Sequence, residues 1–299
     1  MSESKQSGFA LMSRDAFIAS SLSGIISRTL LHPVDTIKAR MQVQKTGSIN
    51  TNTGINSIYG STFDAAKKIY KYEGYRGFYR GLLPSLFFSG PAQTLYLTSY
   101  EVFKSKFSEK TSLPESSPYV HLASGFFAEA VSCVLWVPHD VIKERLQVQR
   151  DSFLNVRSIA SMIRADGVRN LYKGYWITLG SFGPYSALYF YCYEKLKDVL
   201  LKEDSGDVSF GLRTMLAASV ASGFSAFCTT PLDVVKTRFQ VQRRNHSPEV
   251  YENFVDAVKK INKHEGLGAL WKGVTARVAY SAPNAAIIMS LFDQKNVEE

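Results

Sequence analysis

Six stretches of the chain are apolar and almost free of charge over the length of a membrane-spanning helix. Three contain no charged residue: 81–100, 174–193 and 214–232. The other three contain one each: 16–34 with Arg28, 122–139 with Glu129 and 274–292 with Arg277. Each approaches the roughly 20 residues that cross a bilayer core. The pattern predicts six transmembrane helices, and the alternative is six buried helices of a soluble protein.

Small and polar residues recur inside these stretches, as in "GYWITLGSFGPYSALYFYCY" at 174–193. Small residues let membrane helices approach closely, and polar ones usually face a partner or a wet cavity. The composition therefore indicates a bundle around an aqueous path, which a simple membrane anchor does not need.

Three sequence motifs each occur three times in the same order. The first is "PVDTIKARMQ" at 33–42, "PHDVIKERLQ" at 138–147 and "PLDVVKTRFQ" at 231–240. The second is "EGYRGFYRG" from Glu73, "DGVRNLYKG" from Asp166 and "EGLGALWKG" from Glu265. The third is "YEVFK" from Tyr100, "YEKLK" from Tyr193 and "FDQKN" from Phe292. We therefore predict a polar tail at 1–13 and repeats at 14–110, 119–202 and 210–297.

Each repeat reads as a span, a short amphipathic helix and a second span. Ser61, Asn155 and Asn253 stand at equivalent positions before the short helices and are good N-caps. The first repeat is longer because of a polar, Asn-rich stretch at 45–57, which we expect to be a loop.

Charge and cysteine usage narrow the classes of partner. The formal net charge is +9, and basic residues concentrate after the odd-numbered spans. Between membrane spans such charge favours anionic lipid over nucleic acid as the partner. Cys133, Cys192 and Cys228 lie within apolar spans without metal-ligand spacing, so we predict free thiols, no metal and no cofactor. His32 and His139 recur beside no nucleophile or ligand set, so an enzyme is not predicted.

The repeated motifs resemble the signature of the mitochondrial carrier family, P-x-[DE]-x-x-[KR] followed by [DE]-G-x-x-x-x-[aromatic]-[KR]-G. The resemblance extends from about Ala16 to Lys295. It implies an all-α membrane protein: six transmembrane helices in a threefold pseudosymmetric barrel, with three short amphipathic helices on the matrix side. It also implies a monomeric, multi-pass transporter of the mitochondrial inner membrane that moves a small molecule by alternating access.

The resemblance implies a matrix gate built from the first motif. A proline inside a helix bends its axis, so the three odd-numbered helices converge. The implied ring pairs Asp35 with Lys143, Asp140 with Lys236, and Asp233 with Lys38, braced by Gln42, Gln147 and Gln240. The alternative is three exposed charge pairs, each within one helix and each worth a few tenths of a kcal/mol.

The third motif implies a weaker gate at the cytoplasmic end. Its members are Glu101 with Lys197, Asp293 with Lys104, and Glu194, with Tyr100 and Tyr193 before two of the acids. Glu194 should meet a base at position 296, where the chain has Asn296. Because the matrix ring has one more pair, we expect the unliganded protein to favour the state open to the intermembrane space.

The second motif predicts lipid sites at the starts of the even-numbered spans. A helix N-terminus presents free amides to a phosphate, and a base and an interfacial aromatic stand beside it. The residues are Arg80, Gly81, Lys173, Gly174, Lys272 and Gly273. The family resemblance points to cardiolipin, and the alternative is interfacial anchoring without a specific lipid.

Substrate contacts follow from the family pattern and from charges at mid-span depth, which tend to be functional. The candidates are Arg28, Phe88, Gln93, Glu129, Ser181, Phe182, Tyr185, Tyr280, Ser281 and Asn284. The orientation of Glu129 is left open between the cavity and a helix contact, and Arg28 and Glu129 could instead pair with each other. The uncharged Ser181–Phe182 disfavours small di- and tricarboxylates, whose carriers usually have arginine there.

Two local sequence resemblances bear on the identity of the substrate. "AEAVSCVLWVPHDVIKERLQVQ" resembles the third helix of S-adenosylmethionine carriers, although Ser181–Phe182 departs from their usual Arg-Glu pair. "SGPAQTLYLTSYE" is similar to iron-transporting mitoferrins, but His and Met donors are missing from the contact positions. A nucleotide or coenzyme-type substrate is the main rival, and a soluble helical repeat scaffold is the alternative from another class.

Overall fold

Every regular element in the described part of the chain is helical. The computed structural model describes residues 14–44, 59–114, 117–148, 160, 164, 167–200, 207–242 and 250–297; within them, the side chains of 14–24, 118, 207–210 and 289–297 are not described. The α-helices are α1 Arg14–Val43, α2 Thr62–Glu73, α3 Leu82–Thr111, α4 Pro118–Val148, α5 Tyr175–Leu200, α6 Asp207–Val241, α7 Phe254–Glu265 and α8 Val274–Val297. Three short 3₁₀ helices, Tyr75–Tyr79, Val168–Tyr172 and Leu267–Trp271, precede α3, α5 and α8. The predicted all-α fold is confirmed.

The six predicted spans coincide, to within one residue at their starts, with parts of the long helices α1, α3, α4, α5, α6 and α8. Each long helix contains a proline: Pro33, Pro91, Pro138, Pro184, Pro231 and Pro283. By length and composition alone, two described segments are apolar enough to cross a membrane, Tyr119–Val148 and Gly211–Val241.

The long helices close into a ring through contacts between repeats. Extensive contacts join α3 to α4, α5 to α6, and α8 to α1, so the second helix of each repeat packs on the first helix of the next. Helix α8 also packs along α6 within the third repeat. The short helices α2 and α7 lie against the ends of α1 and α6, where Ile69 and Ile261 are buried.

The short helices start at the predicted caps in the first and third repeats. Ser61 Oγ accepts a hydrogen bond from the amide of Asp64, and Asn253 Oδ1 accepts one from the amide of Asp256. The lysine one turn later donates to each acid, and this bond lowers the pKa of Asp64 and of Asp256. Asn155, the predicted cap of the second repeat, lies outside the described residues.

Candidate gates and substrate site

Three ion pairs join α1, α4 and α6 near their C-terminal ends. Lys143 Nζ lies 2.7 Å from Asp35, Lys236 Nζ 2.7 Å from Asp140, and Lys38 Nζ 2.8 Å from Asp233. Every pair joins two different helices, so the alternative of charge pairs within single helices does not describe these residues. Side-chain exposure in the ring runs only from 8% to 20%, which limits screening by water.

The three acids of this ion-pair ring have different second partners. Gln147 Nε2 donates to Asp35 and Gln42 Nε2 to Asp233, each over 2.8 Å. Gln240, the third expected brace, donates to Thr178 Oγ1 over 3.5 Å and makes no hydrogen bond with Asp140 among the described residues. Asp140 is contacted instead by His139, a residue to which the sequence patterns assigned no role in the gate.

A ring of three arginines, absent from the sequence predictions, lies beside the ion pairs. Arg40 Nε donates to the carbonyl of Gln147 over 2.8 Å, Arg145 to that of Gln240 over 3.1 Å, and Arg238 to that of Gln42 over 2.9 Å. Each arginine thus satisfies a backbone carbonyl near the C-terminus of the next odd-numbered helix, where a positive charge also suits the helix dipole. The signal was present as a base seven residues after each motif proline.

In the first and third repeats, the acid of the second motif binds one of these arginines. Glu73 pairs with Arg40 and lies 3.4 Å from Arg80, and Glu265 pairs with Arg238 and Lys272. Glu73, Arg40 and Arg238 are almost fully buried, so the clusters are dry. Burial lowers the pKa of Lys272. These contacts tie the matrix-side connection of a repeat to its first helix.

The predicted lipid residues lie against the ring. The charges of Arg80 and Lys272 are directed at Glu73 and Glu265, and Lys173 is half-buried. The glycines that follow them adopt positive φ: Gly81, Gly174 and Gly273, at 79°, 83° and 77°. A Cβ on Gly273 would lie 3.2 Å from Gln42 Cγ, and one on Gly174 would lie 3.1 Å from Gln240 Cγ. The glycines are therefore needed both for backbone conformation and for close approach to the neighbouring repeat.

Two further charged side chains join the ring without threefold counterparts. Arg277, noted above only as the single charge of its span, lies 3.4 Å from Asp233 and donates to Thr229. Glu144 Oε1 accepts a hydrogen bond from Thr237 over 3.5 Å, and its buried Oε2 has no partner among the described residues. The ring is therefore pseudosymmetric in its ion pairs and asymmetric around them.

At the opposite end of the helices the described gate residues do not form the predicted pair of Glu101 with Lys197. Glu101 and Glu194 are exposed, and Lys104 and Lys197 are half-buried. Tyr100 hydroxyl lies 2.6 Å from His121 Nδ1 on α4, and Tyr193 is buried and stacks on Tyr189. No ion pair joins Glu101 to Lys197 in the part of the chain described here. The side chains of Asp293 and Asn296 lie outside the description.

Arg28 and Glu129 are separate charges near the middle of their helices. The guanidinium of Arg28 lies over the ring of Trp136, 5.7 Å from its centroid. Glu129 accepts hydrogen bonds from Ser132 hydroxyl and Cys133 thiol on its own helix. Neither side chain forms an ion pair with a described residue, so the alternative in which they pair with each other does not hold in this structure.

The remaining predicted substrate residues divide into two groups. Tyr280 interacts electrostatically with Arg28 and with the Asp35–Lys143 pair, and Phe88, Phe182 and Gln93 are half-buried or exposed. Four others hold helices together or bind their own helix: Tyr185 with Ser222, Asn284 with Ser27, Ser281 carbonyl with Ser222, and Ser181 with the Thr178 carbonyl. A substrate would have to displace these bonds to use Tyr185 or Asn284.

Comparisons with known proteins agree along the whole chain. The family model described as "Mitochondrial carrier protein" matches residues 12–111, 114–204 and 208–296. The chain is 34% identical over 286 residues to mitochondrial substrate carrier family protein E of Dictyostelium discoideum, covering 91% of both. It is 35% identical over 276 residues to the human electrogenic aspartate/glutamate antiporter SLC25A13, mitochondrial, covering 91% of this chain and 39% of that relative. The mouse antiporter SLC25A12 is 33% identical over 280 residues, with 40% of its length covered.

Proposed function

The chain belongs to the mitochondrial carrier family and transports a small metabolite across the mitochondrial inner membrane, and we propose that this metabolite carries an α-amino-acid group. The family membership supports a membrane transporter over a soluble helical scaffold, and the named antiporter relatives are transporters and not enzymes. The chain is a multi-pass protein of that membrane. It spans 39% of the length of the SLC25A13 antiporters, so their substrates bear on this chain only as support for a proposal.

The proposed transport cycle uses the ion-pair ring as a matrix gate. With three pairs formed and nearly dry, the ring closes the C-terminal ends of α1, α4 and α6. Ion pairs suit a gate because their charges can return to water when it opens, so the net free energy of each pair is small compared with its Coulomb attraction. The exposed side chains of Glu101 and Glu194 at the other end support an open cytoplasmic side. Alternating access then requires substrate binding to weaken one set of pairs and favour the other.

One observation carries the substrate proposal: two opposite charges at mid-helix depth have no ion-pair partner among the described residues. Arg28 lies on a tryptophan ring, and Glu129 is held only by a hydroxyl and a thiol. Charges in a membrane are costly unless they are paired or functional. A zwitterionic substrate satisfies both, its carboxylate on Arg28 and its ammonium group on Glu129.

The geometry also constrains the size of the substrate. Glu129 and Trp136 lie seven residues apart, on one face of α4 and about two helical turns from each other. The ammonium and carboxylate groups of an α-amino acid share one carbon atom, so a ligand that reaches both residues also carries a second charged group along an extended body, to which Tyr280 and Phe88 offer aromatic surface. S-adenosylmethionine has this form. Aspartate and glutamate, which the antiporter relatives carry by name, share the α-amino-acid group. A nucleotide or coenzyme offers no ammonium group for Glu129.

Thermal unfolding of the purified protein with a ligand panel tests the proposal. The panel is L-aspartate, L-glutamate, S-adenosylmethionine, ADP, coenzyme A and Fe²⁺. A ligand at 100 times its Kd stabilises by about 2.7 kcal/mol and raises the midpoint by several degrees. We expect an amino-acid ligand to give this shift, and the ligand found should then enter proteoliposomes containing the protein.

Matched variants assign the two charges. Glu129→Gln should remove the response to the ammonium group, and Arg28→Gln the response to the carboxylate, whereas Asp64→Asn on the exposed surface of α2 should change neither. A shift with ADP or coenzyme A that survives Glu129→Gln would replace the proposal by the nucleotide alternative. A response to Fe²⁺ alone would favour the mitoferrin-like alternative.

The proposed lipid partner is cardiolipin at the N-termini of α3, α5 and α8, bound to a monomer. Support comes from the free amides of these helix starts and the positive-φ glycines that expose them. Arg80 and Lys272 are engaged by acids, so the backbone would supply most of the phosphate contacts. Loss of cardiolipin from Gly174→Val, measured by native mass spectrometry, would support this site, and unchanged lipid retention would count against it.

A further inference from the structure

The Asp140–Lys236 pair is braced differently from the other two pairs of the ring. Glutamine amides hold Asp35 and Asp233, but Gln240 has turned to Thr178. His139 Nδ1 lies 3.1 Å from Asp140 Oδ1, while Lys236 occupies Asp140 Oδ2 over 2.7 Å. The carboxylate thus has one oxygen for the gate partner and one for the imidazole.

The surroundings of His139 define its hydrogen-bonding role. The residue is 2% exposed, and its Nε2 has no hydrogen-bond partner among the described residues. A neutral imidazole has one N–H, and among the described residues the hydrogen-bond partner recorded for its ring is the Asp140 carboxylate. The proton therefore belongs on Nδ1 and is donated to Asp140. This fixes the orientation of the Asp140 carboxylate toward Lys236.

His139 also connects the pair to the proposed substrate site. Its ring packs edge-to-face against Trp136, with centroids 5.3 Å apart and an interplanar angle of 74°. Trp136 also contacts Arg28, whose guanidinium lies 5.7 Å from the centroid of the indole ring. Arg28, Trp136, His139 and Asp140 therefore form a continuous line of contacts from α1 to the ring.

This line has no counterpart in the other repeats. The residue after the motif proline is Val34 in the first repeat and Leu232 in the third, where the second has His139. Neither aliphatic side chain can donate a hydrogen bond. Both of those repeats retain the glutamine brace on the acids Asp35 and Asp233. The exchange of braces is thus specific to the second repeat.

We propose that His139 is the positioning residue of the Asp140–Lys236 pair and that Trp136 links it to Arg28. A carboxylate ligand that draws Arg28 away from the indole would remove the packing that orients His139, so this pair would open before the other two. The inference rests on the proposed matrix gate and on Arg28 as a substrate contact. It is a coupling between two sites through packed side chains, and its measure is non-additivity between variants.

A double-mutant cycle on the purified full-length protein tests the brace without any substrate. His139→Phe keeps a ring against Trp136 and removes the donor, and should lower the unfolding midpoint by about 2–4 °C. In an Asp140→Ala background the same change should cost less than about 1 °C. His139→Asn, which places an N–H near the former Nδ1, should recover more than half of the loss.

Gln240→Leu is the matched control, because Gln240 is the residue that the repeat pattern would assign as the brace. Its effect should add to that of Asp140→Ala within about 1 °C. Coupling between Gln240 and Asp140, together with additivity between His139 and Asp140, would overturn the assignment of the brace. Equal losses for His139→Asn and His139→Phe would do the same.

A second cycle tests the link to Arg28. Arg28→Gln and His139→Phe should be non-additive by about 1–2 °C, and additive within about 1 °C once Trp136 is replaced by leucine. If the effects of Arg28→Gln and His139→Phe were additive with Trp136 present, the link between Arg28 and His139 would be contradicted. The positioning of Asp140 by His139 would not be affected by that result. If exchanging the charges of Asp35 and Lys143 failed to restore function, the proposed matrix gate would be contradicted instead. Failure of the gate and failure of the link to Arg28 are therefore distinguishable.

Discussion

The two ends of the long helices use the same kinds of residue with opposite results. At the matrix end three lysines reach three aspartates on neighbouring helices, within 2.8 Å in every case. At the cytoplasmic end Glu101 and Glu194 are exposed, and Tyr100 binds His121. Three arginines, two of them paired with buried glutamates, lie beside the matrix pairs. The end that converges is thus the one where ion pairs, backbone carbonyls bound by arginines and close-packed glycines occur together.

The largest effect is expected from removing one arginine of the supporting ring. Arg238→Met removes one cationic partner of the buried Glu265 and frees the Gln42 carbonyl, whereas Lys272 still donates to Glu265 and to the Gln44 carbonyl. Removing one partner of a buried pair costs about 3–5 kcal/mol, so unfolding in detergent should begin at a much lower temperature. The control Arg213→Met, near the cytoplasmic start of α6, should cost less than half as much. Equal losses of stability for Arg238→Met and Arg213→Met would mean that the ring of three arginines contributes no more than an arginine elsewhere in the chain.

Exchange of charges within one pair tests neighbour-to-neighbour closure. Asp35→Lys or Lys143→Asp alone places like charges together and should abolish transport and destabilise the protein by about 3 kcal/mol. The double variant should restore a large part of both. Glu101→Gln at the exposed end should change stability by less than about 1 kcal/mol. If the double variant recovered nothing, the pairing between adjacent repeats would be the wrong interpretation.

Strengthening the cytoplasmic end should reduce the contrast between the ends. Asn296→Lys supplies the base that Glu194 lacks in the sequence pattern, and a new pair would favour the matrix-open state by about 1 kcal/mol, roughly fivefold in population. Alkylation of a single cysteine placed on the cavity side of the ring, by a membrane-impermeant reagent added from the matrix side, should speed up accordingly. Asn296→Gln serves as the uncharged control, and an unchanged alkylation rate in the lysine variant would contradict the prediction.

The smallest expected effect is a pH dependence of stability through Asp64, which lies outside the membrane-spanning helices. The hydrogen bond from Lys68 lowers the pKa of Asp64, so its contribution is present above the unfolded-state value near 4 and is lost as pH falls through the lower folded value. Because Asp64 is exposed, Asp64→Asn should shift the unfolding midpoint by about 1 °C or less, and the difference from the parent should disappear in acid. A difference that grew in acid would contradict this sign.

The repeats made most of the fold predictable, because a pattern present three times fixes helix order and the positions of prolines, caps and motif acids. The partners of single side chains were less predictable. Gln240 occupies the same motif position as Gln42 and Gln147, yet it binds Thr178, because His139 takes the place beside Asp140. The one polar residue directly after a motif proline was the available signal. The arginine ring was missed because its acceptors are backbone carbonyls, which a sequence does not display.

The arginine ring bears on whether the order of the three repeats along the chain affects the structure. Each repeat donates to the next, and the third donates back to the first, through Arg238 and the Gln42 carbonyl. The three arginine–carbonyl hydrogen bonds therefore form a closed cycle in which no repeat comes first. A circularly permuted chain that starts at the second repeat would keep every one of these bonds, provided that a linker joins the old termini. The contacts of the closed end should therefore be the same whichever repeat begins the chain.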